Sequence, residues 1–100
     1  YSNTNFPYMT AEATAWLASM GVEHLLVDLP SIDREEDCGE LLAHHAFWQY
    51  PQNTRRGCTI SEMIFVPNEI TDGEYLLLLA PASFANDAAP SRVVLYRPLD

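Results

Sequence analysis

A chain of 100 residues with 48% apolar and 11% aromatic content carries enough hydrophobic side chain for one small packed domain, which excludes a disordered polypeptide. Its formal net charge is -9, with five Lys and Arg against fourteen Asp and Glu. That balance excludes the cationic surface that nucleic acids and anionic membranes require. Two cysteines are fewer than a disulfide-stapled secreted domain of this size carries, and no apolar run reaches transmembrane length.

In chain order, residues 1–9 read as an arm or loop with Pro7 near its end. Thr10 reads as a helix N-cap, followed by Glu12 in the first turn, where the helix dipole favours a carboxylate. Ala11 to Met20 is rich in helix formers, and Trp16, Leu17 and Met20 fall on one face. Gly21 supplies the C-terminal stop. His24 to Asp28 reads as a short buried strand, and helix, glycine, strand is the order of an α/β unit. A loop over Leu29 to Asp37 draws turn chemistry from Pro30, Ser31 and Asp33.

A second helix is predicted over Glu40 to Trp48, with Leu41, Leu42, His45 and Trp48 on one face. Tyr50 to Gly57 is a polar loop. Cys58 to Val66 is predicted as a strand, with Glu62 on the same parity as Ile60, Ile64 and Val66. Pro67 to Gly73 is a turn, Glu74 to Ala80 an apolar strand, Pro81 to Pro90 a loop, and Arg92 to Arg97 a last strand. The fold class is α/β, a mixed sheet with two helices, and the chain is expected to be a single partial domain over 1–100.

Two features carry chemistry. His44 and His45 are adjacent on a helix, where neighbours diverge by about 100°, so both cannot easily serve one ion. Residue type alone favours two ordinary helix histidines, one of them buried and hydrogen-bonded. Glu62 lies at an inward strand position, and a buried carboxylate needs a partner or a metal. A salt bridge to Arg55 or Arg56, or an edge strand of the opposite parity, serves as well. A helix histidine plus an inward carboxylate makes half of a zinc or manganese site. Asp28 at a strand end reads as a turn cap, His24 as a core or edge histidine, and Asp33, Glu35, Glu36, Asp37 and Glu40 as a solvated acidic run before a helix. Cys38, His44 and Cys58 match no common zinc-finger spacing. The two cysteines are expected to remain unbonded.

Gly21-Val22-Glu23-His24-Leu25-Leu26-Val27-Asp28-Leu29-Pro30-Ser31-Ile32-Asp33 resembles a Gly…Asp-x-Pro-Ser-x-Asp segment of the cyclase and kynurenine formamidase family. Leu42-Ala43-His44-His45 resembles that family's Ala-His-His helix, and Ile60-Ser61-Glu62 its strand glutamate. Asp72 to Leu76 is similar to its Gly-x-Tyr strand, and Ala88 to Leu95 to its closing Ala-Ser-Pro-x-Arg stretch. The resemblance implies part of a swivelling β/β/α domain and a hydrolase that uses a divalent metal, zinc or manganese, on an amide-like bond. It implies His44 and Glu62 as metal ligands.

Two departures accompany the match. The loop from Gln49 to Gly57 is longer than in typical arylformamidases, and the family's His-x-Gly-Thr-His-x-Asp-x-Pro-x-His motif, with its further ligands and general base, is not among these residues. The expectation is therefore the C-terminal part of a cytoplasmic enzyme. Its partners would be the N-terminal remainder of the same protein, a small-molecule substrate and a second copy of itself, with no catalytic residue in this stretch. The alternative is a non-catalytic binding or structural module on the same scaffold.

Overall fold

The structure, a computed structural model, describes residues 6–34, 40–82 and 88–98. Two helices and two small sheets form two units, Tyr1–Val66 and Pro67–Asp100. The α/β class read from the sequence holds, with both parallel and antiparallel pairing present. No helix among the described residues is long and apolar enough to cross a membrane.

In the first unit, Thr10 adopts extended backbone and its hydroxyl accepts from the Ala13 amide at 3.1 Å, which starts α1 at Ala11–Ser19. Met20 caps its end, and Gly21 follows at φ +84°, where a Cβ would be strained. The chain then enters β1, His24–Leu26, which pairs in parallel with β2, Thr59–Ser61, in the register His24↔Thr59 and Leu26↔Ser61. The Val27 amide donates to Ser61 O at 2.9 Å and the Ile64 amide to Val27 O at 3.1 Å, so pairing continues irregularly past the strands. The strand expected to run to Val66 stops at Ser61, because Met63 turns into the left-handed region at φ 60° and an extended ladder cannot pass through it.

Helix α2, Leu42–Trp48, packs against α1. On α1 the buried face is not that of the largest apolar residues. Thr14 and Ala18 of α1 are buried with Ala43 and Phe47 of α2 and with Ile32, whereas Trp16 and Met20 are 60% and 65% exposed and Leu41 and Leu42 are exposed too. Small residues let two short helices approach, and the fully buried Thr14 hydroxyl donates to Ala43 O across the contact at 2.9 Å.

Arg55, weighed above as a partner for Glu62, instead donates to the carbonyls of Phe47 and Val22 and lies over the Phe47 ring. It thereby satisfies a carbonyl in the last turn of α2 and ties that turn to the residues before β1. The Trp48 indole N–H donates to Cys58 O at 3.1 Å, and Cys58 carries a free thiol. Cys38, Glu35, Glu36 and Asp37 lie outside the described residues.

The second unit is an antiparallel pair, β3 at Leu76–Pro81 and β4 at Ser91–Tyr96, running from Leu76↔Tyr96 to Pro81↔Ser91. Residues directly opposite share a face, so Leu77 meets Leu95 and Leu79 meets Val93 on one side, and Leu78 meets Val94 on the other. Leu and Val dominate both sides, a composition more typical of strands covered on both faces than of a solvated hairpin.

Candidate functional site

The site lies where the parallel pair ends. In α/β proteins, groups beyond the carboxyl ends of parallel strands converge on one place, because successive connections leave from there. Here the loop after β1 brings Ser31, Ile32 and Asp33, and the residue after β2 is Glu62.

Asp33 is the residue that the sequence reading misplaced. It was expected in a solvated acidic run, yet it is 5% exposed and holds the start of α2. Its Oδ1 accepts from the Ala43 amide at 2.7 Å and its Oδ2 from the His44 amide at 3.0 Å. Helix α2 needs this because Leu41, at its N-cap position, has a left-handed backbone and no side-chain capping bond. A carboxylate ten residues away in sequence does the work of the cap and also complements the positive end of the helix. Asp33 itself is set by its own amide donating to Ser31 Oγ at 3.2 Å.

The same Oδ2 lies 2.6 Å from His44 Nδ1. On the other side of the ring, His44 Nε2 lies 2.9 Å from Glu62 Oε1. Glu62 Oε1 also accepts from the Ile32 amide at 3.2 Å, and Ser31 bonds to the same side chain. His44 and Glu62, singled out separately in the sequence, thus meet, with Asp33 completing a continuous Asp33–His44–Glu62 chain. The Trp48 ring flanks His44 at a centroid distance of 5.6 Å.

Electrostatics follow from this geometry. Burial opposes the charged form of all three groups, but their mutual contacts outweigh it. The hydrogen bonds from Glu62 and Asp33 raise the His44 pKa above that of an ordinary imidazole. The Ala43 amide and His44 hold Asp33 below the usual carboxylate range, and His44 and the Ile32 amide do the same for Glu62. These contacts favour the charged form of the ring between two carboxylates.

His45, which the sequence places beside Trp48 or in a hydrogen bond to backbone, lies against Tyr50 with tilted rings whose centroids are 5.0 Å apart, and the His44 ring lies beside Trp48. The two rings diverge as helix geometry requires. Asp28 is exposed, and His24 pairs with the Thr59 hydroxyl at 2.8 Å on an exposed edge. Asp33 was within reach of the sequence in one respect. It closes the Pro30-Ser31-Ile32-Asp33 segment of the family match, so its position was marked although its role was not.

As a receptor for a divalent ion, the arrangement offers an imidazole nitrogen and a carboxylate oxygen converging on one point, with the far ring nitrogen held by a second carboxylate. This is the usual setting of a metal-bound histidine. Among the described residues, however, no group of three or more His, Cys, Asp and Glu side chains is arranged to hold an ion. The donors present fit one side of such a site.

The chain is similar to curated proteins named kynurenine formamidase. Over 94 residues the chain is 35% identical to a kynurenine formamidase of Bacillus cytotoxicus, 33% to one of Bacillus mycoides and 32% to one of Bacillus cereus. Over this stretch the chain is similar in sequence to kynurenine formamidases. Each alignment takes in 93% of this chain but 41% of the relative, so the chain spans about two fifths of the length of the kynurenine formamidases it matches. No family model matches it, and neither does any solved structure.

Proposed function

We propose that this chain is the C-terminal portion of a metal-dependent hydrolase that cleaves an amide-like bond in a small substrate, with His44 and Glu62 holding one side of a zinc or manganese ion. The observation that carries the reading is the 2.9 Å approach of His44 Nε2 to Glu62 Oε1, with the other ring nitrogen occupied by Asp33. The relatives' name, kynurenine formamidase, supports a hydrolase of this type. A divalent ion would supply Lewis acidity for a bound water and a substrate carbonyl.

The work of this chain is to hold and orient. Asp33 fixes the imidazole, the Ile32 amide and Ser31 fix Glu62, and Trp48 shields one side of the ring from water. The proton on Nε2 must leave for that nitrogen to act as a ligand, so binding weakens as pH falls. Further ligands and the general base belong to the N-terminal remainder in this reading.

Titration of the chain with zinc and manganese by calorimetry tests it. Weak binding is expected, lost in His44→Gln and Glu62→Gln and retained in His45→Gln. Equal loss from the His44 and His45 variants refutes the assignment. The lack of a three-donor group among the described residues favours a second reading, a non-catalytic module on the same scaffold. Binding of neither metal at any accessible concentration would support it.

A further inference from the structure

We infer that Asp33 is a positioning residue that sets the tautomer of His44, keeping the ring proton on Nδ1 and leaving the lone pair of Nε2 facing Glu62. The inference rests on the reading of His44 and Glu62 as ion-holding side chains, and it adds the residue that makes them so.

A neutral imidazole has one N–H and must choose between its neighbours. Both are carboxylate oxygens here, at 2.6 Å from Nδ1 and 2.9 Å from Nε2. Asp33 is the better anchored of the two. It is buried, and the Ala43 and His44 amides clamp its two oxygens, so it cannot turn away from the ring. Glu62 is more exposed, and the Ile32 amide and Ser31 also engage it, so it satisfies its oxygens without the ring. The shorter bond to the fixed acceptor therefore keeps the proton. In the neutral ring the Nε2 lone pair then faces the Glu62 Oε1, whose distance from Nε2 is 2.9 Å. Two electron-rich atoms at that separation repel unless a cation lies between or beside them. Asp33 thus converts a hydrogen-bonded pair into a two-donor receptor.

An Asn at position 33 would not substitute. Its amide has one acceptor oxygen, which the helix amides require, and its NH₂ would donate to Nδ1 and drive the proton to Nε2. Such a change around a metal-bound histidine weakens metal binding by about 10- to 100-fold.

The test is NMR of the full chain with isotopically labelled histidine rings at alkaline pH, where the imidazole is neutral. His44→Gln assigns the resonance. Wild type and Glu62→Gln are expected to show the proton on Nδ1, and Asp33→Asn is expected to show it on Nε2, with zinc affinity down by the same 10- to 100-fold. A proton on Nε2 in the wild type, or an unchanged tautomer in Asp33→Asn, overturns the inference. If Asp33→Asn does not fold, the wild type and Glu62→Gln still decide it. Zinc added to the wild-type sample separates the two readings. A ring protonated on Nδ1 that zinc leaves unshifted sinks the ion-holding role and not the tautomer. A zinc-shifted ring that was protonated on Nε2 does the reverse.

Discussion

The hydroxyl of Thr14 on α1 donates to the carbonyl of Ala43 on α2, 2.9 Å away and out of contact with water. Ala43 is also the residue whose amide Asp33 accepts, so one peptide position joins the helix pair to the site. Thr14→Val keeps the shape and removes the donor, and with it the hydrogen bond between the helices. It is expected to lower unfolding stability by about 0.5–1.5 kcal/mol, the net worth of one intramolecular hydrogen bond. Thr14→Ser keeps the bond and should lose less. Urea denaturation of the three proteins measures this, and a Thr14→Val midpoint equal to wild type refutes it.

Stability should depend on pH through the Asp33–His44–Glu62 chain in metal-free buffer. The His44 pKa is raised on folding, so its contribution is full below the unfolded imidazole value of about 6.5 and is lost as pH rises through the folded value. The Asp33 and Glu62 pKa values are lowered, so theirs is present above the unfolded carboxylate values of about 4 and is lost as pH falls through the folded ones. The three together place the optimum between those limits. Urea midpoints across the pH range should peak there, and His44→Gln should remove the decline on the alkaline side. A wild-type profile that keeps rising above neutrality contradicts the ion-paired chain.

Arg55 bridges the Phe47 and Val22 carbonyls and lies over the Phe47 ring with its guanidinium carbon 5.0 Å from the centroid. Lysine has one ammonium where arginine has a planar fork, so it cannot span both carbonyls and stack as well. Arg55→Lys should cost about 1–2 kcal/mol, and Arg55→Met more, because charged hydrogen bonds are then lost outright. The same denaturation experiment reads both, and an Arg55→Met variant as stable as wild type discounts the bridge.

By itself, the chain should not turn over N-formyl aromatic amides when zinc or manganese is supplied. Catalytic zinc takes three protein ligands and an open position, and the described residues present two convergent donors. A colorimetric or ultraviolet assay at high protein concentration decides the point. Metal-dependent turnover that is lost in Glu62→Gln would show a complete site here.

Much of the first unit was legible in order. The Thr10 cap, the glycine after α1 and the strand at His24 follow local rules of propensity and capping, and the meeting of His44 with Glu62 follows the family resemblance. The buried face of α1 was not legible, because spacing identifies large apolar side chains and α1 buries small ones. Trp16 and Met20 dominate the pattern while Thr14 and Ala18 make the contact. The parity argument for Glu62 assumed a strand running on to Val66, but β2 ends at Ser61, and Glu62 is held instead by His44 and the Ile32 amide. Asp33 was hidden because its partners lie ten and eleven residues on, across a loop whose acidic composition resembles a solvated surface.

Asp33 both caps the start of α2 and grips the ring of His44, so position 33 has no separable assignment to architecture or to chemistry. A genetic screen that scores only soluble protein and one that scores only ligand capture would return the same intolerance there. Tolerance at Glu62, which caps no helix, would divide the two screens and identify which pressure had acted.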